Sequence, residues 1–133
     1  MSNFFNGSNP ISADLASLIL RVGSGAAMLT HGWPKLTGFM SRMNSFSDPF
    51  GIGSMPSLVL VVFAEVFCSI LLILGFFTRG AVIPLAITMA TVILKVHWAS
   101  PFGKKELPML FLIIFLSIFF LGPGKYSLDG KGK

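Results

Sequence analysis

Seven ionisable residues stand out in this sequence because each lies inside, or at the end of, a long apolar segment. The seven are Arg21, His31, Lys35, Glu65, Lys95, His97 and Glu106. Charged side chains are costly in an apolar solvent, so such residues either pair to fix the register of two helices or line a ligand or proton site. The residue types alone leave both interpretations open.

The first apolar segment carries its polar residues on a single stripe. Steps of four, three, four, three and four residues place side chains on one face of a helix. The stripe consists of Ser17, Arg21, Ser24, Met28, His31 and Lys35. Gly23, Gly25 and Gly32 lie on the same segment, and we expect them to be positions of close packing between helices.

The second apolar segment has a matching stripe. It consists of Val61, Glu65, Cys68, Leu72, Gly75 and Arg79. If the first span ends near Gly32, Arg21 lies about 16 Å from the first loop and Glu65 about 12 Å from it, at a rise of about 1.5 Å per residue. Because a paired arginine and carboxylate offset much of each other's burial cost, these depths predict an ion pair between Arg21 and Glu65.

A second polar group is expected at the edge of the bundle near the first and third loops. His31 and Lys35 end the first segment, Lys95 and His97 end the third, and Glu106 opens the fourth. Lys95 and His97 are about 200° apart on a helix, so they cannot both face inward unless the helix has unwound. Lys35 and Lys95 have the alternative of extending to water from a helix end.

The composition identifies the class of protein that must position these residues. Of 133 residues, 53% are hydrophobic and 11% are charged, whereas an ordinary soluble domain has about a quarter charged residues. Continuous apolar runs of this length fit membrane helices, which satisfy their own backbone hydrogen bonds. The sequence predicts an all-α, integral membrane four-helix bundle, a single domain over residues 1–133. Its expected spans are about residues 14–32, 57–77, 80–98 and 107–122.

The first loop, residues 33–56, has its own apolar periodicity. Its steps of three and four residues predict an amphipathic helix in the membrane interface, or else a loop that caps the bundle. The apolar series is Leu36, Phe39, Met40, Met43 and Phe46. Four crossings would put both termini on the same side, but the basic residues are almost evenly divided, so they do not decide the orientation.

Several functions are disfavoured by the residue pattern. Cys68 is the single cysteine, which excludes an internal disulfide and a CxxC redox pair. The ten Lys and Arg residues are scattered and form no nucleic-acid-binding face. His31 and His97 could ligate a haem, and with Glu65 and Glu106 they could hold a metal. Lone histidines at helix ends usually make hydrogen bonds instead, and no metal-binding spacing is present, so neither haem nor metal is expected.

Three stretches together resemble the DoxX family of small four-span bacterial membrane proteins. They are LRVGSGAAMLTHGWPKLTGF, AEVFCSILLILGFFTR and LGPGKYSLD, and the resemblance covers about Ala16 to Asp129. Trp33 and Pro34 depart from the family pattern and are expected to kink the helix exit.

The resemblance implies a redox-associated subunit of the bacterial inner membrane. Family members and relatives are linked to thiosulfate:quinone oxidoreductase and to complexes that handle oxidative or thiol stress. A quinone would need donors for its carbonyls, which His31, Lys35 or His97 could supply, with Glu65 handling a proton. The catalytic chemistry is then expected on a protein partner, and thiosulfate is favoured only by the cationic edge.

Two other classes of function are also consistent with the sequence. One is a small transporter or lipid-binding protein. The other is a non-catalytic membrane scaffold for which the tail KYSLDGKGK would be an attachment point. The expected partners are the lipid bilayer and either a second protein or further copies of this chain. Neither the catalytic residues nor the substrate can be predicted.

Overall fold

The computed structural model describes residues 4–131, and the regular structure within that range is helical, with no strand. A short 3-10 turn at Phe4–Asn6 precedes the α-helices. The α-helices are α1 (Ala13–Thr37), α2 (Phe39–Arg42), α3 (Ser54–Leu74), α4 (Thr78–Val96) and α5 (Phe102–Leu121). The predicted all-α bundle of long helices is confirmed.

The four long helices pack as a square in which neighbours in sequence touch. α1 packs against α3 and α5, while α4 also packs against α3 and α5. α1 therefore lies diagonal to α4, as in an up-and-down bundle. The core between them draws on every long helix, with Met28, Leu72, Leu85 and Phe115 all nearly inaccessible to solvent.

Local sequence determines where these helices begin and end. The hydroxyl of Ser12 accepts the Leu15 N–H at 3.1 Å and so caps the start of α1. Gly75 ends α3 with a φ of 72°, a left-handed conformation that glycine adopts without steric cost. The α4 N-terminus is capped from far along the chain, because the carboxylate of Asp129 accepts the Thr78 N–H at 2.9 Å.

The C-terminal tail, residues 122–131, folds back over the end of the bundle where α1 begins. The Leu128 N–H donates to the Leu74 carbonyl at 3.2 Å. The Lys125 N–H donates to the Asp14 carboxylate at 2.9 Å. These bonds place the start of α1 and the tail at the same end of the bundle; that both termini lie on one side of a membrane stays a prediction.

Three helices, α1, α3 and α4, are long and apolar enough to cross a membrane by length and composition. α5 has 20 residues, but its first turns contain Lys104, Lys105 and Glu106. Its apolar part, residues 107–121, spans about 22 Å, which is less than the roughly 30 Å of a bilayer core. The fourth crossing therefore stays a prediction.

Both α3 and α4 contain a π-helical stretch, at Phe63–Cys68 and Val92–Val96 respectively. Such widened turns are rare and occur frequently at functional sites. Glu65 lies within the first stretch, and the second ends immediately before His97. Lys95 lies within the second stretch, so the two irregularities contain or adjoin three of the predicted site residues.

The first loop contains one short helix, which lies within the predicted apolar series. α2 covers only four residues, and Leu36 at the start of the predicted apolar series belongs to α1. Phe46 lines a cavity in the bundle, whereas Met40 is 77% exposed. The loop caps the bundle through Phe46, and a position of α2 in the membrane interface stays a prediction.

Asp48 anchors this loop to the start of α3. Its carboxylate accepts the hydroxyl of Ser57 and the N–H groups of Gly53, at 2.7 Å, and Ile52, at 3.0 Å. These hydrogen bonds, with that of Ser57 the strongest influence, hold the pKa of Asp48 below its ordinary value. The ionised carboxylate thereby fixes the loop against the first turn of α3.

Candidate functional site

An ion pair between Lys35 of α1 and Glu65 of α3 lies in the part of the bundle nearest the first loop. Lys35 Nζ is 2.6 Å from Glu65 Oε1, and the two side chains are 23% and 3% exposed. Gly32 permits this approach, because a Cβ at that position would lie 2.7 Å from the Glu65 Cβ. Helical side chains lean toward the N-terminus of their own helix, so Lys35 reaches back to Glu65.

The ion pair forms one wall of a cavity of about 380 Å³ between the four long helices, termed the first cavity. Its ionisable lining residues are His31, Lys35, Glu65, His97 and Lys104. The remainder of its lining is Met28, Met89, Val92, Gly103, Leu107, Pro108 and Phe111. Four of the seven residues singled out in the sequence therefore share one cavity.

A second cavity of about 190 Å³ shares Lys35, Glu65, Val92 and His97 with the first. Phe46, Ser47, Pro49 and Phe50 of the first loop supply part of its lining. Thr88 and Thr91 of α4 and Val61 of α3 supply more. The Lys35–Glu65 ion pair thus borders a bundle cavity and a loop-covered cavity at once.

Lys95 and Glu106 do not line the first cavity. Lys95 is exposed and borders a third cavity of about 430 Å³, formed with residues 47–51. Glu106 is exposed near the start of α5 and lines none of these three cavities. His97 faces the first cavity while Lys95 does not, as their angular separation predicts.

The predicted ion pair between Arg21 and Glu65 is wrong. Arg21 is fully buried, and its Nη1 donates to the carbonyls of Leu72, at 3.1 Å, and Ile73, at 3.3 Å. Its Nη2 donates to the Tyr126 carbonyl at 2.7 Å. The guanidinium therefore binds the last turn of α3, where the helix dipole is negative, together with the C-terminal tail.

The error arose from the assumed ends of the helices. α1 continues to Thr37, so Arg21 lies about 24 Å from the first-loop end of its helix. α3 begins at Ser54, so Glu65 lies about 16 Å from the same side. The difference of about 8 Å exceeds the reach of an ion pair, and Lys35 in the additional turn of α1 takes the place of Arg21.

Two of the three glycines predicted to pack closely do so. A Cβ at Gly25 would lie 2.7 Å from Ile73 Cγ1 and 3.0 Å from the Ser69 carbonyl oxygen, and Gly32 meets Glu65. A Cβ at Gly23 would have nothing within 4 Å. The prediction was therefore wrong for Gly23, which is exposed.

His31 and His97 line the first cavity from the diagonal helices α1 and α4. The His31 ring meets Phe111 edge to face, with centroids 5.9 Å apart. His97 Nδ1 lies 3.5 Å from the Ser100 hydroxyl. Among the described residues, no three His, Cys, Asp or Glu side chains converge on a point that could hold a metal ion.

Sequence reasoning missed two lining residues that matter for the chemistry. Lys104 adds a second ammonium group to the cavity, and Phe111 adds an aromatic wall that is 6% exposed. Lys104 could have been found, because it lies two residues before Glu106, which was placed at the level of the polar cluster. Nothing in the sequence distinguishes Phe111 from the other aromatic residues of the fourth apolar segment.

The arrangement combines hydrogen-bond donors, hydrogen-bond acceptors and an apolar wall. Lys35 and Lys104 can donate, each histidine can donate or accept, and the Glu65 carboxylate accepts from Lys35. Met28, Met89 and Phe111 supply apolar surface. These properties suit a small amphipathic ligand with a polar end and an apolar end.

Comparison with known proteins agrees with this architecture. The DoxX family model matches residues 16–98. A Haemophilus influenzae protein described as uncharacterized is 33% identical over 119 residues, covering 84% of this chain and 87% of its own. Inner membrane protein YphA of Escherichia coli K12 is 29% identical over 123 residues, covering 86% and 88%. No solved structure gives a significant match. The chain is therefore a membrane protein that belongs to the DoxX family.

Proposed function

We propose that this protein is a membrane subunit of a quinone-linked redox system and that a quinone headgroup binds in the first cavity. The observation that carries the proposal is the Lys35–Glu65 ion pair, which lines one apolar-walled cavity together with His31 and His97. The volume of about 380 Å³ lies within the range of small-molecule sites. The redox-linked relatives implied by the sequence resemblance support the same class of ligand.

Each polar side chain has a role in this proposal. Lys35, His31 or His97 donates a hydrogen bond to a quinone carbonyl, and Glu65 exchanges a proton with the bound headgroup. Lys35 Nζ lies 2.6 Å from the Glu65 carboxylate. A ligand that accepts a hydrogen bond from Lys35 therefore also changes the environment of Glu65. Electron transfer is assigned to a partner protein.

Binding of decylubiquinone to the purified protein in lipid nanodiscs tests the proposal. Isothermal titration calorimetry should show saturable binding after subtraction of empty nanodiscs. His97→Leu removes one hydrogen-bonding group and should weaken binding about tenfold, equivalent to about 1.4 kcal/mol. Lys35→Met alone would leave the buried Glu65 carboxylate without its partner. The double variant Lys35→Met with Glu65→Gln is therefore used as the second test of binding.

Two of the three predicted residues that lie outside the first cavity, Lys95 and Glu106, serve as the matched controls. Lys95→Met and Glu106→Gln remove the same kinds of charge, yet neither residue lines this cavity. Both variants should bind decylubiquinone with unchanged affinity. Absence of saturable binding, or an equal loss in Lys95→Met, would contradict the proposal.

A small transporter is the second candidate, and the position of the ion pair between two cavities favours it. An ion pair shared by the first and second cavities could open to connect them. Proton flux into liposomes that contain the protein and a pH-sensitive dye tests this candidate. The transporter would replace the leading proposal if two results were obtained together. Wild type would transport protons without binding quinone, and Glu65→Gln would abolish the transport.

The relative named as an inner membrane protein supports a bacterial inner-membrane location. Four crossings with both termini on the same side are part of the proposal. A partner enzyme, or further copies of this chain, would complete the redox system. Cross-linking in membranes followed by mass spectrometry tests this part. A scaffold would retain its partners and their activity in Glu65→Gln, whereas a quinone site would lose turnover.

A further inference from the structure

The first cavity carries more positive than negative charge. Lys35 and Lys104 both line it, whereas Glu65 is its one lining carboxylate in the part of the chain described. Glu65 is already bound to Lys35 at 2.6 Å. Among the described residues, no carboxylate lies within ion-pair distance of Lys104. With neutral histidines, two ammonium groups and one carboxylate leave the lining with a net charge of one positive.

The N-terminus of α5 adds to this positive potential. Gly103 and Lys104, in the first turn of α5, both line the cavity. Pro101 occupies the cap position, and no side chain there accepts the first N–H groups of the helix. The N-terminus of a helix carries roughly half a positive charge and attracts anions. The helix end and Lys104 therefore act in the same direction on the same cavity.

The apolar part of the cavity lining suits an aromatic ring. Met28 and Met89 are 1% and 4% exposed, and Phe111 packs beside them. Phe111 also makes the edge-to-face contact with His31. An apolar ring would contact these side chains while an oxygen on the ring faced Lys104.

We propose that the first cavity selects an aromatic headgroup with an ionised oxygen, such as a hydroxyquinone anion or a deprotonated quinol, over a neutral quinone. This inference rests on the proposed function, because it names the charge state of the headgroup in the same site. Lys104 supplies the selectivity: it is the lining cation with no carboxylate partner among the described residues. Lys35 contributes less, since Glu65 already neutralises it.

A matched pair of ligands tests the inference. Lawsone is a hydroxynaphthoquinone that is ionised at neutral pH, and its methyl ether is the neutral counterpart. Dissociation constants are measured by isothermal titration calorimetry in phosphatidylcholine nanodiscs, with empty nanodiscs subtracted. Lawsone should bind at least about tenfold more tightly than its methyl ether, and added salt should reduce the ratio.

The variants Lys104→Met and Lys105→Met provide the decisive comparison. Lys104→Met removes the cation without leaving an unpaired carboxylate, and the affinity ratio should fall toward one. Lys105 is the adjacent residue, does not line the cavity, and lies over the Trp98 ring at 5.2 Å. Lys105→Met should therefore retain the full preference for lawsone.

Naphthoate, an aromatic anion that is not a quinone, separates this inference from the proposed function. Equal affinity for lawsone and its ether, or a preference that survives Lys104→Met, would overturn the charge selectivity while leaving quinone binding in place. Lys104-dependent naphthoate binding as tight as that of lawsone, without binding of the ether, would support the anion site and overturn the quinone function. No binding of any of the three ligands would overturn both.

Discussion

The ammonium group of Lys35 lies 2.6 Å from the carboxylate of Glu65, about one helical turn beyond the contact between Gly32 and Glu65. The pair joins α1 to α3 and borders the first and second cavities. It therefore connects the packing of the bundle with the properties of the candidate site.

Removing Lys35 should destabilise the protein more than neutralising Glu65. Lys35→Met leaves a carboxylate whose side chain is 3% exposed, whereas Glu65→Gln leaves an ammonium that is 23% exposed and can reach water. We expect Lys35→Met to cost about 3 kcal/mol and the double variant to recover part of that loss. Unfolding by sodium dodecyl sulfate in mixed micelles measures all three. This account would be contradicted if Glu65→Gln lost more unfolding stability than Lys35→Met. It would also be contradicted if the loss in the double variant equalled the sum of the two single losses.

Gly32→Ala should destabilise the contact between α1 and α3. The new Cβ would lie 2.8 Å from the carbonyl carbon and oxygen of Glu65, and backbone atoms cannot move aside without shifting a helix. The expected cost is about 1–3 kcal/mol, measured by the same unfolding assay. Gly23→Ala is the matched control: it meets nothing within 4 Å and should be neutral or stabilising by up to about 1 kcal/mol. Similar losses in both variants would show that packing at Gly32 is not the cause.

Arg21→Met should lower stability without altering the first cavity. It removes three hydrogen bonds to the carbonyls of Leu72, Ile73 and Tyr126, and we expect a loss of about 3 kcal/mol or more. Arg79 is exposed and donates once, to Phe119 at 2.9 Å. Arg79→Gln should therefore cost less than about 1 kcal/mol. Decylubiquinone affinity of the folded Arg21→Met protein should equal that of wild type; a large loss of affinity would place Arg21 in the site after all.

Acid should release the first loop through Asp48. The pKa of Asp48 lies below its ordinary value, chiefly because of the Ser57 hydrogen bond. The stability contributed by the ionised form is therefore complete above the unfolded-state pKa and is lost as the pH falls through the lower folded-state pKa. Pepsin cleavage of residues 43–53 should accelerate over that acidic range. The Asp48→Asn variant should be cleaved rapidly, and its cleavage rate should no longer show the pH dependence that Asp48 causes. A cleavage profile in the variant equal to that of wild type would refute the role of Asp48.

The helical bundle and much of its interior could be predicted from the sequence because helical periodicity directly reflects burial. Ser17, Arg21, Ser24 and Met28 are all buried, as their stripe predicts. His31 and Lys35 continue the stripe but stay accessible, since they have reached the end of the bundle. Periodicity therefore identified the inward face and gave no information on what each side chain contacts there.

The pairing of charges could not be predicted because it depends on where helices end. Pro34 lies inside α1 and does not terminate it, so the helix continues to Thr37. Lys35, and not the predicted Arg21, is therefore the partner of Glu65. The carbonyls that accept hydrogen bonds from Arg21 could not be predicted for a different reason. Backbone acceptors have no residue type, so no pattern of side chains marks the last turn of α3 or Tyr126 as a cation site.

The bond between Arg21 and the C-terminal tail has a consequence for biogenesis. Tyr126 follows Arg21 by 105 residues, so the ribosome releases α1 into the translocation machinery long before this acceptor exists. The Leu72 and Ile73 carbonyls of α3 are synthesised earlier and can accept from the Arg21 guanidinium first. Docking of residues 122–131 then adds the last of the three acceptors to be synthesised, so the burial of Arg21 couples the C-terminal tail to the packing of α1 against α3.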